Sequence, residues 1–466
     1  MAKKLKISII GAGSAQFSLT MVKDLCLTEN LRGSHVTFMD IDEERLEMIY
    51  QLGKRYSEQL GSNLTFDKTS DRIAALQGSD FVINTGYVLG HIVEADLRDL
   101  CARHGYYHFG GALGPYHQFW LMLSVAQDIE KICPDAWLIQ VGNPVFHGST
   151  LMTRETSTKV IGLCHGHYGY LEIAAQLGLN PAEVVWEAPG LNHNIWLTKF
   201  EYDGKDAYPL IDEWITTKGE EYWRTHTARS THDAQMSRGA CNEYRLYGLF
   251  PIGDTVRRGG WWYHTDIVTK KRWFGEPFGG PDTHIARPYF VKNLEKNVAR
   301  MIAASKDPQA DLVETFGAAK SREQIVPIMD ALSFDQAGDF QVNVPNQGGK
   351  LAGIPENVVV EVPARIDVSG VHIKDFTQIP TKILLNHIYP EWIEMERDLY
   401  AFKSGDRGML LWQLLNEHQT ATYDNAVVLL DELLNHPEVR EVEEFEKFEP
   451  EELIAKYFKY QKPMVS

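Results

Sequence analysis

The chain has 466 residues with 46 Lys and Arg against 63 Asp and Glu, a formal net charge of -17, and 44% hydrophobic residues. That length and apolar content allow two domains with sizeable cores, and the acidic balance argues against a nucleic-acid partner or an anionic membrane surface, both of which reward clustered cations. Five cysteines at irregular positions, 26, 101, 133, 164 and 241, do not read as a disulfide framework and point to a reducing, cytoplasmic setting. No apolar run approaches the roughly 18 residues that span a bilayer, so no membrane anchor is expected.

In chain order, Leu5 to Ile10 is a β-rich run that ends in Gly11-Ala12-Gly13-Ser14, and the amphipathic stretch from Phe17 to Cys26 predicts a helix. Strand, glycine turn and helix in that order make a phosphate cradle, because the glycines let the backbone approach a pyrophosphate and the helix start offers unpaired N–H groups. The next strand, Val36 to Met39, ends in Asp40, a carboxylate placed to accept from ribose hydroxyls and to favour NAD over NADP. Asp42 reads as the N-cap of a helix over Glu43 to Leu60. Further strands, Asp80 to Thr85 and Ala136 to Val141, lead to Gly86 and to Gly142-Asn143-Pro144, with a helix from Gln118 to Ile132 between them. Gly11, Gly13, Ser14, Asp40 and Asn84 form the expected cofactor-binding set. The alternation predicts an α/β fold, a Rossmann-like parallel sheet over 1–195 followed by an α+β catalytic and oligomerisation domain over 196–466. In the second part, helices are expected around Pro288 to Ser305 and Thr381 to His436, paired strands at Val342 to Asn346 and Val358 to Pro363, and a solvated acidic tail at Glu441 to Glu452.

Cys164-His165-Gly166-His167 follows the apolar run Lys159 to Leu163, and Asn192-His193 lies about thirty residues on. Cys164 and His193 are the leading metal ligands. With no CxxC or HxxxH pair, the pattern fits an open Lewis-acid site better than a closed structural zinc. In Gly253-Asp254-Thr255-Val256-Arg257-Arg258, Asp254 reads either as a base steered by an arginine or as one half of a surface ion pair with Arg257. An arginine here could also bind substrate oxygens. The aromatics Trp261-Trp262-Tyr263 suit a sugar platform or ordinary packing.

Taken together, Lys6 to Ser14, Met39 to Leu46, Gly142-Asn143-Pro144, the Cys164 to His167 tetrad, Gly190-Leu191-Asn192-His193 and Gly253 to Arg257 resemble glycoside hydrolase family 4, most of all its α-glucosidase branch. The resemblance implies a lactate or malate dehydrogenase-like architecture and dependence on NAD and a divalent metal such as manganese. It also implies glycoside hydrolysis by C3 oxidation, C2 deprotonation, elimination, water addition and re-reduction, one of the exceptions to two-carboxylate catalysis. It makes Asp254 the C2 base with Tyr263 as its alternate, gives His165 a part in leaving-group departure, and sets Asn143, Arg257 and His167 on the substrate. The partner is a small glycoside, and a homodimer or homotetramer is expected. Gly111 to Gln118 departs from the α-glucosidase pattern. Arg258 with the histidines at 91, 108, 117 and 147 keeps α-glucuronides and α-galacturonides open as substrates. The rivals are an NAD-dependent hydroxy-acid or sugar dehydrogenase, which would accumulate NADH, and a nicotinamide-binding protein without turnover.

Overall fold

The computed structural model describes residues 4–14, 17–107 and 116–440. The chain divides into two compact units, the first made of Met1–Tyr87, Trp120–His165 and Lys292–Phe376 and the second of Val88–Phe119, Gly166–Val291 and Thr377–Ser466. This differs from the expected single boundary at residue 195. Residues 292–376 belong with the N-terminal sheet because the strand Gly338–Pro345 pairs antiparallel with Lys159–Gly162, at Asn343 and Gly162, and Val359–Asp367 then pairs along Gly338–Pro345. The second pairing is the strand pair expected from the sequence, but the first joins segments far apart in the chain, so local pattern does not reveal it.

In the first unit the strands β1 (Lys6–Ile10), β2 (His35–Met39), β3 (Thr65–Thr69), β4 (Phe81–Asn84), β5 (Trp137–Gln140) and β6 (Lys159–Gly162) lie in the order β3-β2-β1-β4-β5-β6. All five pairings are parallel. That is the dinucleotide-fold order, with its reversal between β1 and β4, where such sheets bind ligands beyond the strands' carboxyl ends. Ile7, Ile9, Val36, Phe38, Val82, Ile83, Leu138 and Ile139 are fully buried. Such near-continuous apolar runs are what a sheet covered on both faces requires. Helix α1 covers Ser18–Leu27 and α2 covers Glu43–Leu60. Asp42 caps α2 as expected, its Oδ1 accepting from Arg45 N at 3.0 Å, a contact worth about 1 kcal/mol. The expected helix between β4 and β5 runs Tyr116–Ile132.

In the second unit the strands Gly190–Leu191, Asn194–Leu197 and Phe250–Ile252 pair antiparallel in succession, and Val184–Glu187, Lys199–Tyr202 and Lys205–Asp206 form a separate three-stranded antiparallel sheet. Around them packs a core that includes Phe200, Trp214, Phe250, Tyr263 and Phe274, all buried. A separate helical core gathers Leu97 and Leu100 with Leu410, Leu429 and Leu433. The helical stretch expected from Thr381 to His436 is instead a series: Thr381–Ile383, a π-helical turn Leu384–Ile388, Tyr389–Ser404, Arg407–Asn416 and Tyr423–Leu434. Pro390, which has no N–H to donate, falls in the first turn after the π segment, and Gly405 ends the long helix in the left-handed conformation at φ +65°. The helix expected around Pro288 to Ser305 runs Ala286–Lys306. No helix among the described residues is long and apolar enough to cross a membrane. The acidic tail, His108 and residues 111–115 of the divergent loop lie outside the described residues.

Candidate active site

At the end of β1 the N–H groups of Gly11 and Ala12 both donate to Met39 O at 2.9 Å. Gly11 has φ +78°, and a Cβ there would lie 2.6 Å from Gly86 Cα. Only glycine allows the two strand ends to approach so closely. Gly13 N donates to Asp40 Oδ2 at 2.6 Å, and a Cβ on Gly13 would come within 2.7 Å of Arg45 Cβ. Asp42 N donates to the other Asp40 oxygen at 2.9 Å. Burial raises the Asp40 carboxyl above its usual range against these backbone bonds. Its oxygens are thus fixed beside the glycine turn with lone pairs to spare. Ser14 N donates to Gly11 O at 3.1 Å and closes the turn. The turn, the missing Cβ atoms and the adjacent carboxylate fit a dinucleotide's pyrophosphate and ribose.

Asn84 departs from its expected role. It is fully buried, its amide donates to Gln140 Oε1 at 2.9 Å, and its Oδ1 accepts from Gly86 N at 3.1 Å. It is a buried brace for the Gly86 turn and has no surface to offer a cofactor. Asn143 lies exposed after β5. Cys164, two residues beyond β6, differs from the other cysteines: Cys26, Cys101, Cys133 and Cys241 are buried, whereas Cys164 is partly exposed. Burial pushes the thiols of Cys26 and Cys133 up to about 11 and those of Cys101 and Cys241 up to about 12, so those four are inert apolar filler. His165 is half exposed, with Nε2 3.0 Å from Glu323 Oε1 and its ring near Phe17.

In the second unit His193 sits in the turn between Gly190–Leu191 and Asn194–Leu197, with Nε2 3.0 Å from Asp254 Oδ2. Asp254 lies on the short helical turn Gly253–Arg257. Its other oxygen takes Arg257, and Arg257 in turn takes Asp282. Burial favours the neutral acid at Asp254, but the Arg257 guanidinium overrides it and holds the carboxyl well below the usual carboxylate range. Burial, helped by Arg258 and Arg257, holds His193 below the ordinary imidazole range despite Asp254. A neutral imidazole beside a fixed carboxylate is a donor pair suited to a divalent metal.

Three expectations need correction here. Arg257, expected on the substrate, has its guanidinium in the grip of Asp254 and Asp282, so it orients Asp254. Tyr263, the alternate base, is fully buried, its hydroxyl donates to Asn242 Oδ1 at 2.7 Å, and Trp273 packs on it with ring centroids 4.8 Å apart. Burial drives that phenol far above its ordinary range. His167, also expected on the substrate, is buried with its ring stacked 5.6 Å from Trp186, a packing position. Asp282 and Glu391, which salt-bridges Arg258 at 2.9 Å, went unread in the sequence. Neither sits in a local pattern; each is defined by a partner at least twenty-five residues away.

The family model described as family 4 glycosyl hydrolase matches residues 6–179, and its C-terminal domain model matches residues 188–420. An alpha-glucosidase of Erwinia rhapontici is 27% identical over 398 residues, 79% of this chain and 84% of that protein. An alpha-galactosidase of Bacillus subtilis (strain 168) is 32% identical over 222 residues, and that match spans 44% of this chain and half of the relative's length. Among solved structures, a 6-phospho-alpha-glucosidase from gut microorganisms, in complex with NAD and Mn2+, superposes with TM-score 0.76 at 18% identity, covering 93% of this chain and 98% of that one; it shows the shared fold. With the two models matching nearly the whole run from residue 6 to residue 420, the chain belongs to family 4 of the glycosyl hydrolases.

Proposed function

We propose that this chain hydrolyses the O-glycosidic bond of an α-glycoside, an α-glucoside first of all, by oxidation at C3, removal of the C2 proton, loss of the glycosidic oxygen, addition of water and re-reduction. Bound NAD supplies the acceptor and donor of the C3 hydride, and a divalent ion such as manganese supplies Lewis acidity at the substrate oxygens. The glycine turn Gly11 to Ser14 and Asp40 would hold the dinucleotide, and Cys164 with His193 the metal. Neutral His193 keeps a lone pair for a cation, and Cys164 is the one cysteine with exposure.

The observation that carries this reading is the placement of Asp254. Arg257 fixes one oxygen and His193 faces the other at 3.0 Å. An ionised carboxylate in a set orientation can take the C2 proton, which is acidic once C3 is a carbonyl. His165, oriented by Glu323, would assist the leaving oxygen, and exposed Asn143 would bind sugar hydroxyls. Arg258 is one of the groups that, with the histidines at 91, 108, 117 and 147, keep uronides open. It is engaged by Glu391 at 2.9 Å, which favours a neutral sugar.

The test is to incubate reduced protein with NAD and manganese against p-nitrophenyl α-glucoside, α-galactoside, α-glucuronide and α-galacturonide, following nitrophenol and NADH together. Aglycone release that needs both additives, without NADH build-up and fastest on the α-glucoside, is the expected result. Stoichiometric NADH with no aglycone would make the chain a dehydrogenase. A preference for either uronide would overturn the neutral-sugar assignment alone.

A further inference from the structure

His193 holds a left-handed backbone, φ +66°, as the second residue of a two-residue turn. A non-glycine residue stays in that region only where its surroundings over-determine it. Its neighbours do so from two sides. Ile195 N donates to Thr255 Oγ1 at 2.8 Å, which ties the hairpin to the turn that carries Asp254. Asn194, buried, accepts from Trp196 Nε1 at 2.8 Å and donates through Nδ2 to His387 O at 3.1 Å and to Glu391 Oε2 at 2.7 Å.

Glu391 lies in the first turn of the helix Tyr389–Ser404, directly after the π-helical turn Leu384–Ile388 that presents His387. Turns of that kind are often found at functional sites. The carboxylate is only 4% exposed, and the same Oε2 that takes Asn194 takes Arg258 Nη1 at 2.9 Å. Arg258 follows Arg257 directly, and Arg257 grips Asp254. One buried oxygen therefore ties the residue after His193 to the residue after Arg257.

We propose that Glu391 is a positioning residue for the active site, one that sets the spacing of His193 and Asp254 through Asn194 and Arg258 without touching either. An anionic oxygen suits the task because it accepts an amide and a guanidinium together and supplies the counter-charge that buried Arg258 needs. The inference rests on the reading that His193 holds the metal.

The decisive variant is Asn194→Ser, which removes the amide that reaches Glu391 but leaves the Arg258–Glu391 pair intact. Glu391→Gln is its companion. Manganese affinity is measured by titration calorimetry on the full reduced chain, with circular dichroism to confirm the fold and steady-state rates on the best substrate. Asn194→Ser is expected to weaken manganese at least tenfold and to lower kcat at least tenfold with KM within threefold, and Glu391→Gln, where it folds, to do the same. A folded Asn194→Ser protein with wild-type manganese affinity and kcat overturns the proposal whatever Glu391→Gln does. A wild-type chain that binds no manganese overturns the metal reading itself, and this inference with it.

Discussion

In the first unit the cofactor turn is shaped by where a Cβ has no room: Gly11 against Gly86, and Gly13 against Arg45 and Asp40. In the second, the chemistry is shaped by charges that hold one another, running from His193 to Asp254, Arg257 and Asp282, with Arg258 and Glu391 alongside. Backbone shape tolerates almost no substitution at a few positions and many elsewhere. A charge network spreads the demand over more residues, so each loss should be graded rather than absolute.

The largest effect is expected from Asp254→Asn, which keeps the shape and removes the ionised oxygen. Turnover should fall by roughly 10²- to 10⁴-fold, the usual contribution of a general base, with circular dichroism unchanged. A fall of less than threefold in steady-state assays would remove Asp254 from the proton transfer.

On the backbone side, Gly11→Ala should lower unfolding free energy by about 2–4 kcal/mol, since the new Cβ meets backbone at 2.6 Å in a left-handed conformation. Gly61→Ala is the control. It shares the positive φ, at +62°, but has nothing within 4 Å of the added carbon, so about 1 kcal/mol is expected. Urea denaturation of the pair separates steric exclusion from conformational preference; equal losses would show that close approach to Gly86 is not what demands glycine.

Tyr263→Phe removes one buried hydrogen bond, to Asn242, at a cost of about 1 kcal/mol. Turnover should stay within twofold, and a hundredfold loss would restore the tyrosine as base.

The last effect concerns pH. Burial, helped by Asp233, raises the Glu172 carboxyl in the second unit from 4.5 to about 7. Between those values the unfolded chain releases a proton that the folded chain keeps, so stability falls as pH rises through the window and levels off above about 7. Glu172→Gln should abolish that part of the slope in thermal melts from pH 4 to 8; an unchanged slope would assign it to other groups.

Much of the first unit could be read in advance because its signals are local. The apolar runs of β1, β2, β4 and β5, the Gly11 turn, the Asp42 cap and the strand-end position of Asp40 all follow from contiguous residues. Asn84 was misread for the same reason: its strand-end place is local, but its burial depends on Gln140 and Gly86. The tetrad, divided between the units after His165, and Asp254 in the second unit stand out as residue types, whereas Tyr263 and His167, read for chemistry, are packing positions. Whether an aromatic or imidazole ring faces a core depends on Trp273 and Trp186, which no spacing rule ties to them.

The sequence alone determined the parallel sheet, because buried strands must be apolar throughout, and the nucleotide turn, because only glycine fits a positive φ at close approach. Tertiary structure alone decided that residues 292–376 complete the first unit, that Arg257 answers to two carboxylates, and that Glu391 stands between Asn194 and Arg258. Antiparallel pairing and charge pairing act through space, and partners of either kind leave no periodic mark on the chain between them.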